Sequence, residues 1–192
     1  MKRRRHVIDL LNTHRPLDGD ETDYVERMRW LLASTRDPFS RSHFDPGHFT
    51  VSAFVVAPDE ASLLIIRHAK LKRWLQPGGH VETDDVDLAA AARREVAEEA
   101  GLDDLVPANG RDLLFDVDIH TIPANDREPR HRHFDLRFRF RAHRRDLSCG
   151  DDVRGVRWAP FRELTSLNPE PAMVRVLRKL NASKTYDIKE KA

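Results

Sequence analysis

The pattern of hydrophobic positions changes partway along the chain, from helical spacing to short alternating segments. Residues 6–14 and 22–34 carry apolar side chains at the three- and four-residue spacing of amphipathic helices. Two Asp-Pro pairs, beginning at Asp37 and Asp45, then interrupt this pattern. The sequence therefore predicts an N-terminal helical extension over residues 1–46.

The remainder, residues 47–192, has the pattern of a sheet covered by helices. Strands are predicted at 51–56, 62–66, 113–122, 131–141 and 154–159. A turn at Pro58-Asp59-Glu60 makes the first two strands a predicted hairpin. Helices are predicted from about Val86 to Ala100, where Gly101 ends the helix, and over 169–180. This order of elements predicts an α+β fold, a mixed sheet with helices packed on it.

Composition limits the classes of partner. Of the 192 residues, 33 are basic and 32 acidic, which leaves a net charge of +1. No overall field would draw such a chain to nucleic acid or to an anionic membrane, so we expect neither partner. An anionic small molecule would have to be bound by local chemistry.

The cellular context is predicted from what the sequence lacks. Cys149 is the single cysteine, so no disulfide can form within the chain, and its turn-like surroundings favour an incidental thiol over a catalytic one. No apolar run approaches the roughly 18 residues that span a bilayer. The basic start is followed by an apolar stretch too short for a signal peptide. We expect a cytoplasmic protein.

Three glutamates form the most informative cluster. Glu95, Glu98 and Glu99 stand at positions i, i+3 and i+4 of the predicted helix and share an arc of about 100°. Like charges so placed repel one another unless a cation neutralises them, and oxygen ligands suit Mg²⁺ or Mn²⁺. A solvated acidic face is the alternative. Gly78-Gly79, which can bring backbone close to a ligand, favours the metal site.

Taken together, these segments resemble the signature of a known family. Residues 78–82 (Gly-Gly-His-Val-Glu) and 94–102 (Arg-Glu-Val-Ala-Glu-Glu-Ala-Gly-Leu) are similar to the Nudix box, and the second segment matches it at every defined position. The resemblance implies an α/β/α sandwich in which Glu95, Glu98, Glu99 and the Gly78 carbonyl bind the metal. Arg94 would hold the helix in place by pairing with a carboxylate.

The reaction that the resemblance implies is attack of water on phosphorus in a nucleoside diphosphate linked to another group. The substrate would be a nucleotide-like small molecule, and Glu98 and Glu99 are the predicted catalytic residues. A catalytically silent nucleotide-binding module of the same fold is the alternative, although such a module has no need of three clustered carboxylates.

The first half of the box departs from the signature. Fourteen residues separate Gly79 from Arg94, one more than the signature has, and its glutamate is absent. Asp84 or Asp85 could replace that glutamate as the partner of Arg94, or could cap the helix. Glu82 could supply a further carboxylate or act as the general base.

A second cluster is predicted on the later strands. In 131–141, polar and aromatic residues alternate, which places His131, His133 and Asp135 on the face opposite the phenylalanines. Asp116, Asp118 and His120 alternate in the same way on the preceding strand. If the strands pair, the cluster could bind a transition metal or substrate, or form cross-strand hydrogen bonds. His133 and Asp135 are the predicted substrate-binding residues, and Arg139 and Arg141 are expected to be solvated.

Three further features bear on substrate binding or assembly. Arg67, at the end of the second strand, is predicted to contact substrate phosphate. Trp74 could stack on a base, but packing beneath the glycine loop is favoured. The N-terminal helices could cover a sheet edge, shape the substrate pocket or form a homodimer. A protein centred on a histidine-bound metal is a third functional hypothesis.

Overall fold

A single mixed sheet lies between two layers of helices. The computed structural model describes residues 2–85, 87–108 and 110–190, with side chains through 182. The helices are α1 (Lys2–Thr13), α2 (Gly19–Ser34), α3 (Leu88–Ala100), α4 (Leu164–Leu167) and α5 (Pro171–Glu190). The strands are β1 (Gly47–Val56), β2 (Ser62–His68), β3 (Trp74–Leu75), β4 (Gly78–His80), β5 (Leu105–Pro107), β6 (Leu114–Ile122), β7 (His131–Ala142) and β8 (Val153–Pro160).

The pairing of β1 with β7 organises the sheet. These two strands run parallel from Gly47 opposite Arg132 to Val56 opposite Arg141. On the far side of β7, both β5 and β6 pair with it in antiparallel fashion. The sheet is therefore mixed, as the sequence predicts.

The predicted hairpin between β1 and β2 is confirmed only at its closed end. Val56 pairs with Leu63, but β2 then pairs with β8 along most of its length. The reason is that β4 occupies the same edge of β1 from Thr50 to Ser52. The connection between β2 and α3 thus contains two short strands, β3 and β4.

Alternation along the strands separates the core into two layers. Phe49, Val51 and Ala53 of β1 belong to a buried cluster that also includes residues of α1, α2 and α3. Phe54 and Val56 point to the other face, where they join Met173 and other residues of α4 and α5. Helices cover both faces, so the predicted α/β/α sandwich is confirmed.

The ends of α3 are set by identifiable residues. The Asp87 side chain accepts hydrogen bonds from the Ala89 and Ala90 amides, so Asp87 is the N-cap. The proposed capping by Asp84 or Asp85 is wrong, because both precede the cap position; the predicted start at Val86 lies outside the described residues. At the other end Gly101 has φ 63°, a left-handed conformation that favours glycine, which confirms the predicted stop.

The N-terminal helices are integrated into the fold. Val7 of α1 and Met28 of α2 are buried in the same cluster as the sheet. In addition, the Glu21 carboxylate of α2 accepts the Val117 amide of β6 at 3.3 Å. The extension therefore covers a sheet edge, which is one of its three predicted roles. In the described part of the chain, no helix is long and apolar enough to cross a membrane.

Candidate active site

A cleft of about 1010 Å³ brings the two predicted clusters together. Its walls include all three glutamates of α3, together with His120 and His133 of the histidine strands. The cleft also reaches Arg3 of α1, so the N-terminal extension contributes to its shape. The acidic and histidine-bearing segments, far apart in sequence, thus face one common space.

Two carboxylates of α3, those of Glu95 and Glu99, lie in an environment that disfavours their charge. Glu99 is partly buried, and burial, with the nearby charges of Glu95, Asp152 and Glu98, raises its pKa to about 8 despite a hydrogen bond from the Gly78 amide at 3.0 Å. Burial also raises the pKa of Glu95, although Arg94 opposes this shift. A divalent cation would relieve the excess negative charge.

Two glycines of β4 lie close to β1 and to α3. A Cβ atom on Gly78 would lie 2.5 Å from the Val51 carbonyl oxygen, so glycine is required there for β4 to approach β1. A Cβ atom on Gly79 would lie 2.6 Å from a carboxylate oxygen of Glu95 and would displace that side chain. This contact brings the Gly78 backbone beside the carboxylates, while metal binding by its carbonyl stays a prediction.

Arg94 connects α3 to the loop that precedes it. Its guanidinium donates to Glu95 at 2.9 Å, to Glu98 at 3.1 Å and to Asp85 at 2.9 Å. Burial opposes the charge of Arg94, but Asp85 and the two glutamates outweigh this and raise its pKa. Asp85, rather than Asp84, thus takes the place of the missing glutamate. The geometry agrees with the positioning role predicted for Arg94.

The loop over residues 82–85, within the segment that is one residue longer than the signature, is held by the N-terminal helix. Arg3 donates to the backbone oxygens of Glu82 at 2.7 Å, Thr83 at 2.6 Å and Asp85. Sequence reasoning missed Arg3, because nothing distinguishes it from the other arginines of that basic segment. Glu82 itself is exposed, and its carboxylate lies 3.7 Å from Arg94. Its role as a base stays a prediction.

The histidine cluster is larger than the sequence indicates. His133 of β7 pairs with His120 of β6 and with His48 of β1, so the predicted strand pairing is confirmed. The rings of His48, His80 and His133 lie 4.9–5.3 Å apart, centroid to centroid. His48 and His80 were missed. The sequence does contain an indication for His48, because it lies at two-residue spacing from Thr50 and so shares a polar face of β1, as His133 and Asp135 share a face of β7.

These imidazoles are neutral near pH 7. Burial and the neighbouring His48 lower the pKa of His80 to about 4. Burial likewise lowers the pKa of His48, and it lowers that of His133 more strongly, together with the crowding of the other rings. A neutral imidazole retains a lone pair, which can accept a hydrogen bond or bind a metal.

Asp135 lies at the base of the cleft within a buried network. Its carboxylate accepts hydrogen bonds from Thr50 at 3.0 Å, Ser52 at 2.8 Å and Arg137 at 2.8 Å. Protein donors thus occupy this carboxylate, and the arrangement favours a positioning role over the predicted substrate contact. Arg137 also binds Asp116 and Asp118, so the polar face of β7 is a buried ion-pair network at its centre.

The remaining predicted residues lie at the periphery. Arg67 is exposed, and among the described residues those lining the cleft include its neighbour His68 but not Arg67. Trp74 packs against the core cluster of α4 and α5, with the Arg157 guanidinium 5.2 Å from its ring centroid, which agrees with packing rather than base stacking; its place beneath the glycine loop stays a prediction. Arg141 is exposed as expected. Arg139, also expected to be solvated, is half-buried because it lies over the Phe115 ring at 5.3 Å.

Sequence comparison with known proteins identifies a family model and a curated relative. The NUDIX domain model matches residues 46–180. A curated relative from Lactococcus lactis, described as a probable DHNTP pyrophosphohydrolase, is 36% identical over 90 residues. That match covers 46% of this chain and about half of the relative, 51% of its length.

Solved structures have the same fold. A NUDIX-family hydrolase from Clostridium perfringens matches 70% of this chain and 97% of its own, with 29% identity and a TM-score of 0.52. The dihydroneopterin triphosphate pyrophosphohydrolase of E. coli matches 68% of this chain and 92% of its own, with 16% identity and a TM-score of 0.52. At that identity the second likeness concerns the fold alone.

Proposed function

Because the chain belongs to the Nudix family, whose domain model matches residues 46–180, we propose that it is a metal-dependent pyrophosphohydrolase. It would cleave a phosphoanhydride bond in a nucleoside diphosphate linked to another group, or in a closely similar molecule. Water would attack phosphorus, and the leaving phosphate would take the electrons of the broken P–O bond.

One observation carries this proposal: three carboxylates of one helix face a cleft with less positive charge than they need. Glu95 and Glu98 share Arg94 as their nearby cation, and Glu99 has only a backbone amide among its hydrogen-bond donors in the described residues. Oxygen ligands with excess negative charge fit Mg²⁺ or Mn²⁺. When bound, such an ion would neutralise phosphate charge and acidify water.

The protein's own groups divide the remaining work. Glu95, Glu98 and Glu99 would hold the metal, with the Gly78 carbonyl as a further ligand. Arg94 would fix the carboxylates of Glu95 and Glu98 through bonds of 2.9 and 3.1 Å. Glu82, exposed on the loop above the helix, is the candidate general base together with Glu98 and Glu99.

The substrate would be a small nucleotide-like molecule bound in the same cleft. A volume of about 1010 Å³ is ample for a base, a sugar and a phosphate chain. The Lactococcus relative is named for DHNTP, so pterin triphosphates belong among the candidates. His120 and His133 line the cleft and could contact the ring system, while Lys70 could contact phosphate.

A screen of phosphoanhydride substrates with product identification tests the proposal. The panel should contain nucleoside triphosphates, sugar nucleotides, dinucleotide polyphosphates and dihydroneopterin triphosphate, each with Mg²⁺ or Mn²⁺. We expect hydrolysis of at least one compound, and its abolition by excess chelator. Full activity in chelator would contradict the metal mechanism. Binding of a nucleotide without turnover of any compound would instead support the silent binding module.

A further inference from the structure

Three histidines from three strands form a group to which the proposed attack of water on phosphorus assigns no chemical step. One ring nitrogen from each of His48, His80 and His133 lies within 4.8 Å of the others. We propose that these histidines form a second metal site, which takes a transition-metal ion of the zinc type rather than Mg²⁺. This site is separate from the carboxylates of α3, and the proposal does not depend on hydrolytic activity.

His48 provides the strongest evidence. Its Nδ1 lies 3.0 Å from the His43 carbonyl oxygen, which can only accept, so Nδ1 carries the proton. Its Nε2 therefore presents a lone pair. That atom is fully buried and has no hydrogen-bond partner among the described residues. A buried acceptor without a partner is costly, and a metal–nitrogen bond would satisfy it.

The backbone holds the three rings in place. His48 and His133 are directly opposite each other on the parallel strands β1 and β7. His80 is paired with Thr50, two residues beyond His48 on the same face of β1. Nitrogens bound to one tetrahedral zinc ion lie about 3.4 Å apart, given Zn–N bonds of about 2.1 Å. Side-chain rotations that shorten nitrogen–nitrogen distances of at most 4.8 Å to about 3.4 Å would suffice to bind one ion.

A neighbouring ring orients one of these ligands. His131 donates its Nδ1 hydrogen to the Pro129 carbonyl at 2.8 Å, and its Nε2 lies 3.3 Å from that of His133. A hydrogen bond to a ring nitrogen of a ligand fixes the orientation of that ligand in metal sites. The backbone carbonyl of His80 accepts a hydrogen bond from Arg94 at 3.2 Å, which ties the strand that carries His80 to the carboxylate helix.

The donor set determines which ion is expected. Imidazole nitrogens suit zinc, nickel, cobalt and copper, whereas Mg²⁺ requires oxygen ligands. Since His80 and His133 line the cleft, an ion held there would be accessible from it. Three protein ligands leave the fourth tetrahedral position open. A phosphate oxygen or a ring nitrogen of the molecule in the cleft could occupy that position.

Cobalt absorption spectroscopy tests this site. Co²⁺ is titrated into the full-length protein with excess Mg²⁺ present, which keeps the carboxylates of α3 occupied. We expect one equivalent to bind with the visible absorption of a nitrogen-ligated ion. Competition with Zn²⁺ should abolish that absorption. His80→Gln, at a half-buried position, should weaken binding at least about a hundredfold, more than loss of a supporting hydrogen bond does.

Two control variants make the outcome decisive. His120→Gln removes a histidine that lines the same cleft and packs on His133, but that is not one of the three ligands. Glu98→Gln removes a carboxylate of α3. Both should keep the Co²⁺ spectrum and an affinity within about threefold of wild type.

The proposal is overturned if wild type binds no Co²⁺ under these conditions, or if binding is lost in Glu98→Gln and unchanged in His80→Gln. Circular dichroism without metal checks the fold of each variant. If His80→Gln does not fold, His133→Gln replaces it in the same experiment, with the same expected loss.

Discussion

Two groups of carboxylates in this molecule differ in their supply of positive charge. In the interior, Asp116, Asp118 and Asp135 surround Arg137, and Arg175 and Lys179 provide further cations. At the cleft, Glu95 and Glu98 share Arg94 with Asp85, and Glu99 has no ion-pair partner among the described residues. The first group is close to balanced by the protein itself, and the second is not.

The pKa values express this difference. Burial opposes the ionisation of Asp116, yet Arg175 and Arg137 outweigh it and hold the pKa of that carboxyl well below its usual range. Burial acts on Glu99 in the same direction, but with no such cation its pKa rises to about 8. The interior group is therefore neutralised within the protein, whereas the cleft group keeps an excess of carboxylates, which the proposed metal site requires.

Changing a carboxylate at the cleft should affect activity and not stability. For Glu98→Gln and Glu99→Gln we expect turnover to fall about a hundredfold to a thousandfold, as when an enzyme loses one group that stabilises the transition state. The free energy of unfolding should change by less than about 1 kcal/mol, because each change relieves repulsion among the carboxylates and Glu98→Gln weakens only an exposed pair with Arg94. Steady-state kinetics and urea denaturation measure the two effects. Wild-type turnover in both variants would refute the site assignment.

Changing a carboxylate of the interior group should have the opposite profile. Asp116→Asn takes one carboxylate partner from both Arg137 and Arg175 and leaves them Asp118, and breaking a buried ion pair costs about 3–5 kcal/mol of unfolding free energy. Asp23→Asn, which removes an exposed pair with Arg27, is the matched control and should cost less than about 1 kcal/mol. Equal losses in the two variants would mean that the network is not a source of stability.

Acid should remove the contribution of the interior group to the free energy of unfolding. The folded-state pKa values of Asp116 and Asp118 are lowered, because Arg137 and its neighbours outweigh burial. Their contribution is therefore complete above the unfolded carboxyl pKa of about 4 and is lost as the pH falls towards the lowered folded values. Unfolding free energies at several pH values below 6 should decline for wild type. The decline should be smaller for Asp116→Asn, and an equally steep decline would contradict this assignment.

The sequence predicts the cleft group far better than the interior one. The glutamates of α3 are recognisable because helical spacing alone places them on one face. The two glycines that precede them are recognisable because they are adjacent to each other and lie in the same signature. Arg175 lies on α5, 59 residues from its partner Asp116, and no local pattern indicates that contact. His48 and His80 join His133 through parallel pairing of β1 with β7 and a short β4, neither of which periodicity predicts. Contacts that depend on pairing between strands far apart in sequence could therefore be identified only from the structure.

The smallest expected effect concerns the link between α1 and the loop over 82–85. Arg3→Ala removes the hydrogen bonds to the backbone oxygens of Glu82 and Thr83, which should let the loop carrying Glu82 and Asp85 move. We expect Mn²⁺ affinity, measured by calorimetry, to fall about tenfold, the lower end for lost support of a metal site.

Arg4→Ala is the matched control for this change. Arg4 lies on the same helix and also binds backbone oxygens, those of Thr35 and Arg36, but these lie outside the loop and α3. Both variants should lose a similar, modest amount of unfolding free energy, since each removes hydrogen bonds from a charged donor to carbonyl groups. Only Arg3→Ala should weaken Mn²⁺ binding. If the two variants weaken Mn²⁺ binding equally, the N-terminal helix supports the carboxylates of the cleft only through general stability. The contact between Arg3 and the loop over 82–85 would then have no specific effect on cation binding.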